Sequence, residues 1–104
     1  IEYRAHVSDI GWQDYVENGN LAGTTGLAKP IEAVSIQLTG EIAEKYDIYY
    51  RVHSSDFGWL DWAKNGEDAG TQGYAKKAEA IEICLIEKEG TAPGNTERAF
   101  VKKN

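Results

Sequence analysis

The chain has 104 residues, a formal net charge of −6, one cysteine, three tryptophans and six tyrosines. This length suffices for one compact core, and a single cysteine excludes an internal disulfide. The acidic balance argues against nucleic-acid partners, which need a basic face, and without an apolar run of about 18 residues we expect no membrane insertion.

A strand is predicted at the start of the chain, because residues 2–8 alternate between apolar and polar side chains. The apolar side chains fall on one face, and Arg4 and His6 fall on the other. The chain begins inside this strand, so we expect it to be part of a longer protein. Gly11 then precedes Trp12, which indicates a bend or a bulge.

The short segment 12–16 leads into Asn18-Gly19. Asn-Gly between short apolar segments favours a hairpin, because a type I′ turn needs positive φ at both central residues. A single helical turn is the alternative, since Trp59, Trp62 and Ala63 of the matching later segment also fit an i, i+3, i+4 spacing. We favour the hairpin.

A tight loop is predicted over Ala22–Gly26, followed by an alternating strand over residues 31–38. In this strand Val34, Ile36 and Leu38 are expected to point inward. The Gly-Thr-x-Gly sequence of the loop is similar to a phosphate-binding loop, but no Gly-Lys-Ser/Thr follows and no helix is predicted there. We therefore interpret it as a structural turn.

The whole pattern then occurs a second time. Residues 3–40 align with residues 50–87 without a gap, at a shift of 47 positions, and about half of the aligned residues are identical. One such unit alone barely buries a sufficient core. We therefore predict an all-β fold in which two tandem antiparallel β repeats of about 47 residues, related by pseudo-twofold symmetry, share one core. The second copy includes the equivalent loop at Ala69–Gly73.

The predicted boundaries are repeat 1 at 1–40, a linker at 41–47 with room for a helical turn, repeat 2 at 48–87 and a C-terminal tail at 88–104. The tail has a possible edge strand at Thr96–Val101. The expected core takes inward residues from both repeats: Tyr3, Val7, Trp12, Val34, Ile36, Leu38, Tyr50, Val52, Trp59, Ile81, Ile83 and Leu85.

Both repeats keep a His-x-x-Asp pair, His6 with Asp9 and His53 with Asp56. A metal site needs three or four converging ligands, and each repeat offers one histidine. We therefore predict no metal, no cofactor and no catalytic residues. Each histidine is expected to bond a neighbouring backbone or carboxylate group, and a contact with a ligand is the alternative.

The aromatic side chains are the main candidates for ligand contact, because tryptophan suits both a core and a binding platform. Trp12 and Trp59 each follow a glycine and are interpreted as core residues. Tyr15 and Trp62 fit a core or an exposed platform equally well. The candidate ligand-binding residues are Trp62, Tyr15, His6, His53, Asp14 and Asp61.

The blocks His-Val-x-x-x-Gly-Trp-x-x-aromatic-x-x-Asn-Gly, Ala-Gly-Thr-x-Gly and Glu-Ala-hydrophobic-x-Ile-x-Leu occur in order and twice, with Ser54 in place of the valine in the second copy. This pattern, over residues 3–38 and 50–86, resembles the clostridial hydrophobic repeat with tryptophan, ChW. The resemblance implies a tandem repeat of a secreted or wall-attached protein from a Gram-positive, Clostridia-like bacterium, attachment to carbohydrate or protein, and no catalytic residues. The chain departs from the family at Tyr15, where tryptophan is common, and at Pro30-Ile31 and Lys77-Ala78, where Arg-Leu is usual.

We therefore predict a non-catalytic binding or adhesion module located outside the cell, in the cell wall or at the cell surface. Its partner is expected to be a polysaccharide, or a protein such as a host receptor, an immunoglobulin or a scaffold protein. A structural spacer without a ligand is the alternative. The sequence leaves the ligand and the oligomeric state open.

Overall fold

The computed structural model describes residues 1–104, and its regular secondary structure is almost entirely strand, which confirms the all-β prediction. The elements in chain order are β1 (Glu2–Val7), β2 (Gly11–Trp12), β3 (Val16–Glu17), β4 (Ile31–Gln37), α1 (Glu41–Lys45), β5 (Tyr46–Ser54), β6 (Gly58–Trp59), β7 (Ala63–Lys64), β8 (Asp68–Gln72), β9 (Ala78–Glu87) and β10 (Phe100–Lys102). The single helix is too short to cross a membrane.

The strands form two sheets. One has six strands in the order β10-β8-β4-β1-β2, with β3 also paired to β1; the other has four, in the order β6-β5-β7, with β9 also paired to β5. In each repeat the first strand pairs antiparallel with the last, so that Tyr3 lies opposite Ile36 and Tyr50 lies opposite Ile83. The two repeats are therefore built alike around their longest strands.

The repeats are joined by a strand that crosses between the sheets. Strand β8 belongs to repeat 2 but pairs antiparallel with β4 of repeat 1, with Ala69 opposite Val34. Residues 21–25, which align with β8, form no strand, and β9 pairs only with β5. Repeat 1 thus has a partner strand from repeat 2, and repeat 2 has no such partner from repeat 1.

The prediction of a tight loop at Ala69–Gly73 was wrong for most of that segment, because Asp68–Gln72 is β8. Gly70 permits this pairing. Its φ is +121°, and a Cβ atom there would lie 2.4 Å from the carbonyl oxygen of Glu32 and 2.7 Å from Ala33 Cα. Only glycine allows the two backbones to approach this closely.

The shared core is confirmed. Side chains from both repeats form one buried cluster: Ile36, Ile48, Tyr50, Val52, Ala63 and Ala69, with Tyr3, Val34 and Leu38 packed against it. The core prediction was wrong for Ile81, Ile83 and Leu85, whose side chains are 43%, 52% and 44% exposed. They point to the expected face of β9, but a cavity of about 370 Å³ separates Ile81 and Ile83 from Tyr3, Val34 and Ile36 of repeat 1, so the face is incompletely covered.

The core prediction was also wrong for both tryptophans. Trp12 pairs with His6 across β1 and β2, and Trp59 pairs with His53 across β5 and β6. Directly opposed residues of antiparallel strands share a face of the sheet, so each indole lies with its histidine on the outer face. Trp59 is 42% exposed.

Both Asn-Gly turns have the predicted backbone, with φ of 48° and 90° at Asn18-Gly19 and 45° and 86° at Asn65-Gly66. The helical-turn alternative is not observed, since residues 12–16 and 59–63 contain no helix. The hairpin prediction holds only for the turn itself, because the chain that leaves it does not pair with the strand that enters it. Strand β7 pairs with β5, whereas β8 crosses to the other sheet.

The helical turn expected in the linker is α1, but β5 begins within that linker at Tyr46. The edge strand expected at Thr96–Val101 is present as β10, displaced toward the C-terminus. It pairs parallel with β8, and Val101 lies opposite Thr71. The tail thus closes one edge of the six-stranded sheet.

Candidate functional site

A β-bulge in each repeat brings a glutamate to the outer face. The register between β1 and β4 shifts after His6, which pairs with Ala33, so Glu32 is the extra residue. The same shift follows His53 in β5, and Glu79 is the extra residue there. A bulge re-aims side chains locally, and here it places a carboxylate beside each histidine.

The repeat 1 cluster consists of Arg4, His6, Trp12, Tyr15 and Glu32. The Arg4 guanidinium carbon lies 4.3 Å from the ring centroid of Trp12 and 5.1 Å from that of Tyr15. His6 meets Trp12 edge-on at 5.3 Å, and its Nδ1 lies 3.0 Å from Glu32 Oε1. The cation is thus held against two aromatic rings, a geometry that favours a guanidinium.

The repeat 2 cluster consists of Arg51, His53, Trp59, Trp62 and Glu79 and has the same geometry. The Arg51 guanidinium carbon lies 4.5 Å from Trp59 and 4.9 Å from Trp62. His53 meets Trp59 edge-on at 5.2 Å, and its Nδ1 lies 3.1 Å from Glu79 Oε1. Two copies that differ at about half of their residues therefore build one arrangement twice.

The two clusters differ in exposure. His6 and Glu32 are 7% and 5% exposed, whereas the side chains of His53 and Glu79 are 37% and 42% exposed. In repeat 1 the strand next to β4 is β8, which shields the cluster from one side; in repeat 2 no strand lies next to β9. The repeat 2 cluster is therefore the more open one.

Each arginine also has one carboxylate partner. Arg4 lies 3.3 Å from Asp68 of β8, and Arg51 Nε donates to Glu82 Oε1 at 2.6 Å. The carboxylate comes from β8 in repeat 1 and from β9 in repeat 2. Each arginine therefore has an acidic partner, although the two partners do not occupy equivalent positions in the repeats.

The C-terminal tail contacts both clusters. The Trp62 backbone N–H donates to the Asn95 carbonyl at 2.9 Å, and a Cβ atom at Gly94 would lie 3.1 Å from Cδ1 and Nε1 of the Trp62 ring. Phe100 packs near Trp12, with 6.4 Å between the ring centroids. The tail therefore covers Trp62 in part and leaves Trp59 as the more open ring of its cluster.

The structure brings four of the six predicted site residues into the clusters: Trp62, Tyr15, His6 and His53. Asp14 is exposed and forms no hydrogen bond or ion pair. The Asp61 carboxylate instead accepts a bond from the Arg98 N–H at 2.9 Å, so its position is explained by anchoring the tail.

Arg4 and Arg51 were missed as site residues, although the sequence carried a signal for them. Both repeats keep an arginine two residues before the histidine, and residues two apart on a strand lie on one face. Trp59 was assigned to the core and is instead the exposed ring of the repeat 2 cluster.

The aspartates of the predicted His-x-x-Asp pairs do not approach the histidines. Asp9 bonds Lys29 Nζ at 2.8 Å, and Asp56 bonds Lys76 Nζ at 2.5 Å. Each lysine lowers the pKa of its aspartate, first through the hydrogen bond and then through its charge. These pairs fasten the turn after β1 and after β5. No three His, Cys, Asp or Glu side chains converge on a point that could hold a metal ion.

Chemically, each cluster is a rigid aromatic platform with polar side chains at its rim. The guanidinium holds the rings in place, and in repeat 2 a glutamate and a histidine remain accessible beside an exposed indole. Such a surface can stack against a flat apolar face and exchange hydrogen bonds around it.

A family model described as Clostridial hydrophobic W matches residues 6–40 and 53–87. The two matched ranges start at the histidines of the two clusters and extend through the last strand of each repeat, β4 and β9. No curated protein and no solved structure matches the chain.

Proposed function

The chain belongs to the Clostridial hydrophobic W family, and on that premise we propose that it is a non-catalytic module of a secreted or cell-surface bacterial protein that binds polysaccharide. The observation that carries the proposal is the platform at Trp59. Its indole is 42% exposed, is held by Arg51, and has His53 and Glu79 beside it.

A sugar ring suits this platform because it presents an apolar C–H face and a rim of hydroxyl groups. The C–H face stacks on the indole, and the accessible Glu79 carboxylate accepts hydrogen bonds from hydroxyl groups. The family resemblance, with its implied location at the wall or surface, supports a polysaccharide over a small soluble ligand. The repeat 1 cluster, with Tyr15 37% exposed, offers a second and weaker contact along the same polymer.

The alternatives from the sequence lead to different expectations. A spacer that only displays other domains needs no exposed indole held in a fixed orientation. A protein partner is favoured by a separate surface, the incompletely covered apolar face of β9, which is not part of either cluster.

The proposal is tested by retention on insoluble wall and plant polysaccharides, together with a glycan array, for the wild-type chain and for Trp59→Ala. We expect the variant to lose about tenfold or more in affinity, which corresponds to about 1.4 kcal/mol for one stacked ring. Trp62→Ala is the matched control, because the tail already covers part of that ring, and it should lose less.

Melting curves accompany the binding data, so that a loss of folding is not read as a loss of binding. A wild-type chain that retains no polysaccharide would favour the spacer. Equal binding by wild type and Trp59→Ala would remove the platform from the site.

A further inference from the structure

The contact between β4 and β8 shows how one repeat accepts a strand from another. Ala33, Val34 and Ser35 of β4 lie opposite Gly70, Ala69 and Asp68 of β8. Ala33 and Ala69 are fully buried there, and the Gly66 N–H adds a bond to the Ile36 carbonyl at 2.7 Å. Both sides of this interface have an equivalent in the other repeat.

The equivalent of β4 is β9, and its outer edge has no partner. The residues that align with Ala33 and Val34 are Ala80 and Ile81, and both are exposed. Three apolar cavities of about 370, 520 and 240 Å³ lie along β9, lined by Ile81, Ile83 and Leu85 among others. A long edge strand with unpaired backbone groups and apolar side chains can pair with a further strand.

The equivalent of β8 is the segment 21–25 of repeat 1, which pairs with no strand. The backbone N–H and carbonyl of its Gly23 bond the Gln13 side chain, at 2.7 and 3.2 Å. Leu21 is 66% exposed, and the Thr24 hydroxyl is buried without a hydrogen-bond partner. Its counterpart in β8, Thr71, donates to the Lys76 carbonyl at 3.4 Å. The segment thus has the Ala-Gly-Thr sequence of β8 without its strand conformation.

Strand β8 has no free edge for β9, because it is already paired with β4 and β10, and charge disfavours it as well. In the existing interface the opposed pair Ser35 and Asp68 contains one carboxylate. In β9 the serine is replaced by Glu82, and in the segment 21–25 the aspartate is replaced by Leu21. Pairing of β9 with this segment again has one carboxylate, whereas pairing with Asp68 would oppose two like charges, which destabilises a sheet.

We infer that β9 and the segment 21–25 are the two halves of one interface, and that β9 accepts this segment from a second copy of the chain. In the register of β4 and β8, Ile81 then lies opposite Ala22 and Ala80 lies opposite Gly23. Within one molecule Ala22 and Ile81 line the same cavity of about 370 Å³, which the segment does not fill.

The contact is head-to-tail, because the donated segment and the accepting edge are different surfaces. In a dimer joined in this way, one copy still has a free β9 edge and the other still has a free segment 21–25. Further copies can therefore bind, which gives open filaments or closed rings rather than a symmetric dimer. The pairing also covers the open side of the repeat 2 cluster, and the exposure of His53 should fall toward that of His6.

The test uses the full chain with two complementary variants, Ile81→Lys in the accepting edge and Ala22→Lys in the donated segment. Both positions face an open cavity, where a lysine can reach solvent, and circular dichroism checks that each variant folds. Ile10→Lys is the control, because Ile10 is 51% exposed and lies in the turn between β1 and β2.

Sedimentation velocity at micromolar to millimolar concentration should show a rising average mass for the wild type and for Ile10→Lys. Each single variant alone should remain monomeric. A mixture of Ile81→Lys and Ala22→Lys should form a one-to-one dimer and nothing larger, because each supplies the half that the other lacks. Leu21→Glu, at an exposed position that does not threaten folding, should weaken wild-type association at least tenfold by opposing Glu82.

Three results would overturn the inference. The first is a wild-type chain that stays monomeric over the whole range. The second is association that persists in Ala22→Lys but not in Ile81→Lys, since that pattern belongs to two β9 edges paired with each other. The third is a mixture of the two variants that remains monomeric while both are folded.

Discussion

Replacement of Gly70 by alanine tests whether the close approach of β8 to β4 holds the two repeats together. A Cβ atom at this position would lie 2.4 Å from the Glu32 carbonyl oxygen and 2.7 Å from Ala33 Cα. These are backbone atoms, so no side-chain rotation relieves the contact. The φ of +121° adds strain that any residue except glycine carries.

The matched control is Gly23→Ala, because Gly23 is the equivalent residue of repeat 1 and has a φ of +106°. A Cβ atom there meets only the flexible end of Ile31, at 3.0 Å. Both variants carry the backbone strain, about 1–3 kcal/mol. Only Gly70→Ala adds overpacking between strands, about 1–3 kcal/mol more.

The assay is urea unfolding followed by tryptophan fluorescence at low protein concentration, with the free energy of unfolding extrapolated to water. We expect Gly70→Ala to be less stable than Gly23→Ala by about 1–3 kcal/mol, or by about 4–8 °C in Tm for each kcal/mol. Equal losses in the two variants would show that the pairing of β8 with β4 contributes little to stability, and would refute the reasoning.

Two further predictions concern a buried acid and an exposed ring. Asp47 accepts bonds from Lys88 at 2.6 Å and Asn65 at 2.8 Å, and these lower its pKa below the ordinary value for an aspartate. The stabilisation from these bonds is present above about pH 4 and is lost as pH falls through the lowered pKa. Asp47→Asn should lower the free energy of unfolding by about 1–3 kcal/mol at neutral pH, and its urea midpoint should vary less with pH between about pH 2 and 5 than that of the wild type. Parallel curves of urea midpoint against pH for the two proteins would contradict this. Trp59→Ala should lower the free energy of unfolding by about 1–2 kcal/mol, because the ring lies largely outside the core, whereas Tyr50→Ala should lower it by about 3–5 kcal/mol, because Tyr50 is fully buried. Equal losses of stability in thermal melts would show that Trp59 is a core residue.

Local patterns predicted the features that depend on one strand or one turn. The alternation around Tyr50 and Val52 placed both in the core, since period-2 patterns report which face of a strand is buried. The positive φ values at Asn65-Gly66 followed from turn chemistry. These features need no knowledge of the partner strand.

The partner of β8 could not be predicted in this way. Gly23 and Gly70 stand in nearly identical sequence, yet one lies in a loop and the other in a central strand. The difference depends on which strand edge the assembled fold aligns with each segment, and the local sequence does not encode that alignment. The same reason explains the error at Ile81 and Ile83, which have the pattern of buried residues and are incompletely covered.

The faces of the tryptophans were mispredicted for a geometric reason. A glycine before Trp59 indicated a bend, but the face of the indole is set by its register opposite His53. A shift of one residue in register moves a side chain to the other face of a sheet. The stacking of Arg51 on the Trp59 indole follows from the same register. It was not predicted, because the indole was assigned to the other face.

The crossing of β8 also sets an order on biosynthesis. Residues 1–40 leave the ribosome before any part of β8, so the outer edge of β4 stays open until residues 68–72 have been made. Domains fold during synthesis from the N-terminus onward, but pairing of strands far apart in sequence is slow. The sheet of the first repeat therefore cannot be completed until the second repeat has been synthesised, and a stall in translation between them would leave β4 free to pair with a neighbouring nascent chain.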